Sequence, residues 1–112
     1  MTVAEWVATR EPAPPAALME RVLAALGRAR DDHASLASER CLEAAERVVA
    51  GLLRDGRTGR ESAGELLAAD ALVTYAFEAG SDDPARLAER AHAAMRRLSG
   101  LGTIDAAAPA RR

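Results

Sequence analysis

A chain of 112 residues has room for one small domain. Its hydrophobic fraction of 49% rests on 28 Ala, while Leu (13), Val (6), Ile (1) and Phe (1) supply only 21 large side chains for a core. Fifteen Arg against 17 acids leave a net charge of −2, which permits collapse and argues against a dedicated nucleic-acid binder.

No apolar run approaches the ~18 residues of a membrane span. Met1-Thr2-Val3-Ala4-Glu5 lacks the basic, apolar start of a secretory signal. A single cysteine, Cys41, makes no internal disulfide and no metal-site spacing. Trp6, Tyr75 and Phe77 are too few for a base-stacking platform. These features set the expectation of a cytoplasmic protein with no membrane or nucleic-acid partner. Lys, Asn and Gln are absent, which reads as GC-rich coding bias and discounts the arginines as phosphate ligands. The same bias favours helix, and no alternating run predicts a strand.

Thr2-Val3-Ala4-Glu5 has capping-box form and starts a short helix to about Thr9. Glu11-Pro12-Ala13-Pro14-Pro15 breaks it, and Pro15 suits the first turn of a second helix. That helix carries Leu18, Val22, Leu23 and Leu26 at helical spacing and stops at Gly27. After a charged link from Arg28 to His33, Asp32 or Ser35 is placed to cap a long helix to about Arg54. Its stripe is Leu42, Ala45, Val49 and Leu52, widened by Cys41, Val48 and Leu53, and Asp55-Gly56 ends it.

Thr58-Gly59-Arg60-Glu61 forms a second capping box, opening a helix to Ala79. Between Leu66 and Ala79 only Asp70 and Glu78 ionise and apolar residues occur nearly all round, the pattern of a central, buried helix. Ser81, Asp82 and Asp83 are placed to cap a last helix with Pro84 in its first turn. Its stripe is Leu87, Ala91, Ala94/Met95 and Leu98, with Gly100 and Gly102 at its end. The expectation is an all-α bundle of four main helices with a short extra N-terminal helix. It forms one domain over 1–102, with 1–12 as a helical arm and 103–112 as a flexible tail.

Asp70 is the most informative position. With Leu66 at 0° and about 100° per residue, Phe77 falls near 20°, Asp70 near 40° and Val73 near 340°. The carboxylate is thus expected on the apolar stripe, with a partner or a raised pKa, and either structural or facing a ligand or partner. Thr74 lies one turn on and Tyr75 beside it. Trp6, on the N-terminal arm, either closes the core or docks on a partner.

His33 and His92 have no second ligand at i+3 or i+4, so no metal and no cofactor is expected. Cys41 has no nominated base and reads as a small core residue. Asp31-Asp32 and Asp82-Asp83 read as helix caps.

Ala69-Asp70-Ala71-Leu72-Val73-Thr74-Tyr75-Ala76-Phe77-Glu78 resembles a helix of isoprenyl diphosphate synthases. Those enzymes need two Asp-Asp-x-x-Asp motifs. Neither Asp31-Asp32-His33-Ala34-Ser35 nor Asp82-Asp83-Pro84-Ala85-Arg86 continues so, and the likeness reports an Ala-rich helix. Arg28…His33 and Arg86…His92 are similar to the Arg–His spacing of HEPN-type ribonucleases, which implies metal-independent RNA cleavage by His33 or His92. Ala29 and Leu87 stand where that family has a polar residue.

No nucleophile–base pair, metal spacing or phosphate loop emerges, and the core is thin for a domain of this size. The leading expectation is a non-enzymatic helical module that self-associates, as a homodimer for example, or binds a partner protein. The alternatives are a ligand-binding bundle using Asp70 and Thr74, and the ribonuclease.

Overall fold

The structure is a computed structural model that describes residues 1–56, 59–81 and 84–107, with the backbone alone for Glu61 and 102–107. It is an all-α bundle: α1 (Val3–Ala8), α2 (Ala16–Leu26), α3 (Ala37–Asp55), α4 (Arg60–Ala79) and α5 (Pro84–Ala107), with two 3-10 turns, Gly27–Asp31 and Ala34–Leu36, between α2 and α3. No β-strand occurs among the described residues.

The first capping box forms as its spacing predicts. Glu5 N–H donates to Thr2 Oγ1 at 3.1 Å, and Thr2 N–H donates to Glu5 Oε1 at 2.7 Å. Two backbone bonds then pin the N-terminus to the α2–α3 link: Val3 N–H to Asp32 O and Ala34 N–H to Met1 O, both 2.8 Å. This fixes α1 against the bundle and buries Val3 and Val7 completely.

Gly27 and Gly56 end α2 and α3 with φ of 58° and 60°, a backbone that a Cβ would strain. The start of α3 differs from expectation. Neither Asp32 nor Ser35 caps it. His33 Nδ1 accepts the Ser35 N–H at 3.1 Å and closes the second 3-10 turn, while Asp32 pairs with Arg40 at 2.8 Å. The Thr58 cap and the Asp82-Asp83 cap lie outside the described residues. Pro84 opens α5 as predicted, but α5 continues through Gly100 and Gly102 to Ala107, so helix replaces the first part of the expected tail. Glycine weakens a helix by about 1 kcal/mol yet keeps its N–H, so Gly100 and Gly102 do not by themselves end α5.

The core lies among α1–α4: Val3, Val7, Val22, Leu26, Cys41, Leu72 and Tyr75, filled in by alanines of α3 and α4. α3 and α4 run antiparallel and pack closely, with Ala44 and Ala45 of α3 and Ala68 and Ala76 of α4 in one buried cluster. α5 runs along α3 and has next to no contact with α4.

The face of α4 that is buried corrects the sequence expectation. Ala68, Ala69, Leu72, Tyr75 and Ala76 point inward, while Leu66, Leu67 and Phe77 are 53%, 59% and 46% exposed. Asp70 is exposed with them. The wheel centred on Leu66 and Phe77 found a real stripe, but it is the outer one. Alanines let α3 and α4 approach more closely than leucines would, so the small residues took the inner face.

Truncation separates the two faces. Leu72→Ala is expected to lower the unfolding free energy by about 2–5 kcal/mol in a urea titration, whereas Leu66→Ala and Leu67→Ala each change it by less than about 0.5 kcal/mol. The opposite order would place the core on the outer stripe.

Candidate functional site

The predicted residues divide between two places. Trp6 and Tyr75 form one cluster, with rings edge-to-face at 6.3 Å between centroids. The Arg10 guanidinium lies 4.0 Å above the Trp6 ring and pairs with Glu78 at 3.4 Å. Tyr75 is buried, and burial first, then the Glu78 charge, raises its phenol above the usual range. This cluster fastens α1 to α4.

Asp70 and Thr74 stand on the other side of α4, both exposed. The Thr74 hydroxyl donates to its own helix, to the Asp70 carbonyl at 3.0 Å. Among the described residues the Asp70 carboxylate has no ion pair and no hydrogen-bond donor. The expected buried acid with a partner is therefore not formed. Tyr75 faces inward and Phe77 outward, so Asp70, Thr74, Tyr75 and Phe77 do not line one cavity.

The sequence reading missed a groove. α5 lies on α3 through residues spaced alternately by four and three: Leu42, Ala45 and Val49 meet Ala91, Ala94 and Leu98. α4 lines the opposite flank with Val73 and Phe77. The three stripes enclose an apolar pocket of about 130 Å³, open to solvent. Met95, 67% exposed, stands on its α5 rim. The four–three spacing was visible in each segment, but nothing in the sequence said that the stripes of α4 and α5 would flank one groove.

The far side of the α3–α5 seam is charged. Arg86 and Arg90 of α5 face Glu39 of α3 at 3.7 and 3.5 Å. One heptad on, Arg97 grips Glu46 with two nitrogens, Nη2 donating to Oε2 at 2.7 Å. Equal steps on both helices mean that α3 and α5 run parallel. At their N-terminal ends Ser38, buried, ties three helices together: its hydroxyl donates to Ala76 O of α4 at 2.9 Å and accepts from Arg90 Nη1 at 3.1 Å. Gly80 permits this approach, since a Cβ there would sit 2.9 Å from Ser38 Oγ and 3.0 Å from Leu87.

The other candidates stay apart from this surface. His33 serves the 3-10 turn, and His92 is exposed on α5. Burial pushes the Cys41 thiol up to about 12, so it is protonated and inert near neutral pH. Among the described residues no group of three His, Cys, Asp or Glu could hold a metal, and no helix is long and apolar enough to cross a membrane. No family model, curated protein or solved structure matches this chain at a significant level.

The hydrogen bonds from Arg97 hold the Glu46 carboxyl below its ordinary 4.5. A lowered carboxyl pKa adds stability that is present above the ordinary value and lost as pH falls through the lowered one. Hydrogen-exchange protection along α5 should thus fall, relative to that of α4, as pH drops below 4.5. The Glu46→Gln variant should show weaker α5 protection at neutral pH and little further change on acidification. Equal protection in both proteins would remove the ladder as the tie holding α5.

Proposed function

We propose that this chain is a non-enzymatic helical interaction module whose working surface is the outer face of α4 and the groove between α4 and α5. The observation that carries this reading is an imbalance on one helix. α4 is apolar around nearly its whole circumference, yet only its Ala68–Leu72–Ala76 side is covered. Burying a leucine or phenylalanine is worth about 1.5–3 kcal/mol, and the chain leaves Leu66, Leu67 and Phe77 about half exposed while it fills its core with alanine. Large apolar side chains left open on one helix of a small domain mark a surface that another protein covers. The cover is a further helix, from another copy of the chain or from a partner protein.

The arm does not compete for this role, because Trp6 is engaged by Arg10 and Tyr75.

A photo-crosslinking phenylalanine placed at Phe77 in living cells tests the reading. It should yield discrete protein adducts, while the same group at exposed Glu20 of α2 should yield only background. Equal background at both positions would end the proposal.

A further inference from the structure

Resting on that reading, we infer that the groove takes a helix from a different protein, one with a leucine or aromatic anchor for the pocket and an arginine or lysine opposite Asp70. The secondary structure of the occupant follows from the walls. Val49, Val73, Phe77, Met95 and Leu98 offer no hydrogen bonds, and the one charged lining residue, Glu46, is held by Arg97. A strand or loop laid there would leave backbone N–H and C=O groups unpaired at a cost of a few kcal/mol each, whereas a helix satisfies its own. Its apolar residues must recur at i, i+3 or i+4, and i+7 to follow stripes of that spacing. A pocket of about 130 Å³ admits one large apolar side chain.

The charge of the occupant follows from Asp70. This residue lies one turn before Val73, on the stripe Leu66–Asp70–Val73–Phe77. Covered by an apolar helix, its carboxylate would lose water and gain nothing, a penalty of several kcal/mol. A guanidinium or ammonium removes that penalty. A second copy pairing through α4 alone cannot supply it. From Ala63 to Phe77 the outer face of α4 carries no cation, so pairing two such faces brings two carboxylates into one dry seam. Charge complementarity therefore points away from pairing of α4 with α4 and toward a basic amphipathic helix.

The test pans a displayed library of helical peptides, randomised on one face, on the full-length protein. Peptides enriched on the wild type should carry apolar residues at three–four spacing and Arg or Lys at one fixed position three or four residues from the anchor. On Asp70→Arg that position should turn to Asp or Glu, and exchanging the wild-type-selected cation for Glu should weaken binding to the wild type by roughly tenfold or more in Kd. Phe77→Asp on one wall and Met95→Glu on the other should each abolish enrichment while retaining the wild-type circular dichroism spectrum. If these two variants lose the peptides but Asp70→Arg selects the same sequences as the wild type, the charge inference fails and the interaction surface stands. If Phe77→Asp and Met95→Glu enrich the wild-type sequences, or the wild type enriches none, the surface fails as well. A wild type that sediments as a dimer and becomes monomeric with Phe77→Asp would make a second copy the occupant and overturn the inference.

Discussion

Three helices meet at one hydroxyl. Ser38 sits at the start of α3, donates to the end of α4 and accepts from Arg90 of α5, in a space left open by the missing side chain of Gly80. A buried hydrogen bond of this kind nets about 1 kcal/mol, and ion pairs such as Glu39–Arg90 add ~0.2–1 kcal/mol each. Half of the seam beneath them, Ala45, Ala91 and Ala94, is alanine, which has little area to bury. The attachment of α5 is thus a sum of small terms, all directed at α3. The attachment of α1 is of another kind: Val3 and Val7 are fully buried, and Trp6 is locked between Arg10 and Tyr75. The molecule has a firm half, α1–α4, and a lightly held fifth helix whose inner flank defines the groove.

This asymmetry follows from where the large side chains are placed. A domain short of leucine and phenylalanine would be expected to spend them on its interior. Leu72 and Leu26 obey, while Leu66, Leu67, Phe77 and Met95 do not. Alanine on the inner faces brings α3 and α4 close enough for Ser38 to reach the Ala76 carbonyl, an approach that bulkier residues would prevent. Close packing of small residues thus builds the bundle and releases the large ones to the outside. There they add little to the fold of the isolated chain but suit the burial of another helix.

The helices themselves were legible in the sequence because their ends are written in local chemistry. The Thr2–Glu5 box, the proline break, Gly27, Gly56 and Pro84 each act through backbone geometry that neighbours decide alone. The orientation of α4 was not legible. A helix apolar on every side has no preferred face in its pattern, and weighting the wheel by leucine and phenylalanine selects the outer stripe when alanines make the core. Asp70 was correctly placed on the stripe with Leu66, Val73 and Phe77, and incorrectly buried with it. The cap from His33 was also hidden, since Asp32 and Ser35 are the better capping residues in isolation. Asp32 was diverted by its side-chain pairing to Arg40 and by its carbonyl bond to Val3. The groove depends on the angle between helices that scarcely touch, and no local signal encodes that.

A carboxylate with no partner among the described residues, set in the middle of an apolar helix face, serves two states at once. With the face open, Asp70 keeps its hydration, and the stripe is interrupted by a group that resists casual burial. Two copies approaching through this face must each desolvate an acid with no cation on the Ala63–Phe77 stretch of α4, so the charge opposes self-pairing of α4. Leucine at the same position would remove that restraint and leave an unbroken stripe from Leu66 to Phe77. When a basic helix covers the face, the same desolvation is offset by a charge-assisted hydrogen bond in a medium where such bonds are strong. One residue thus separates the partners that fit the groove by shape alone from those that also answer its charge. That selection depends on Asp70 standing exposed on α4 with no partner among the described residues.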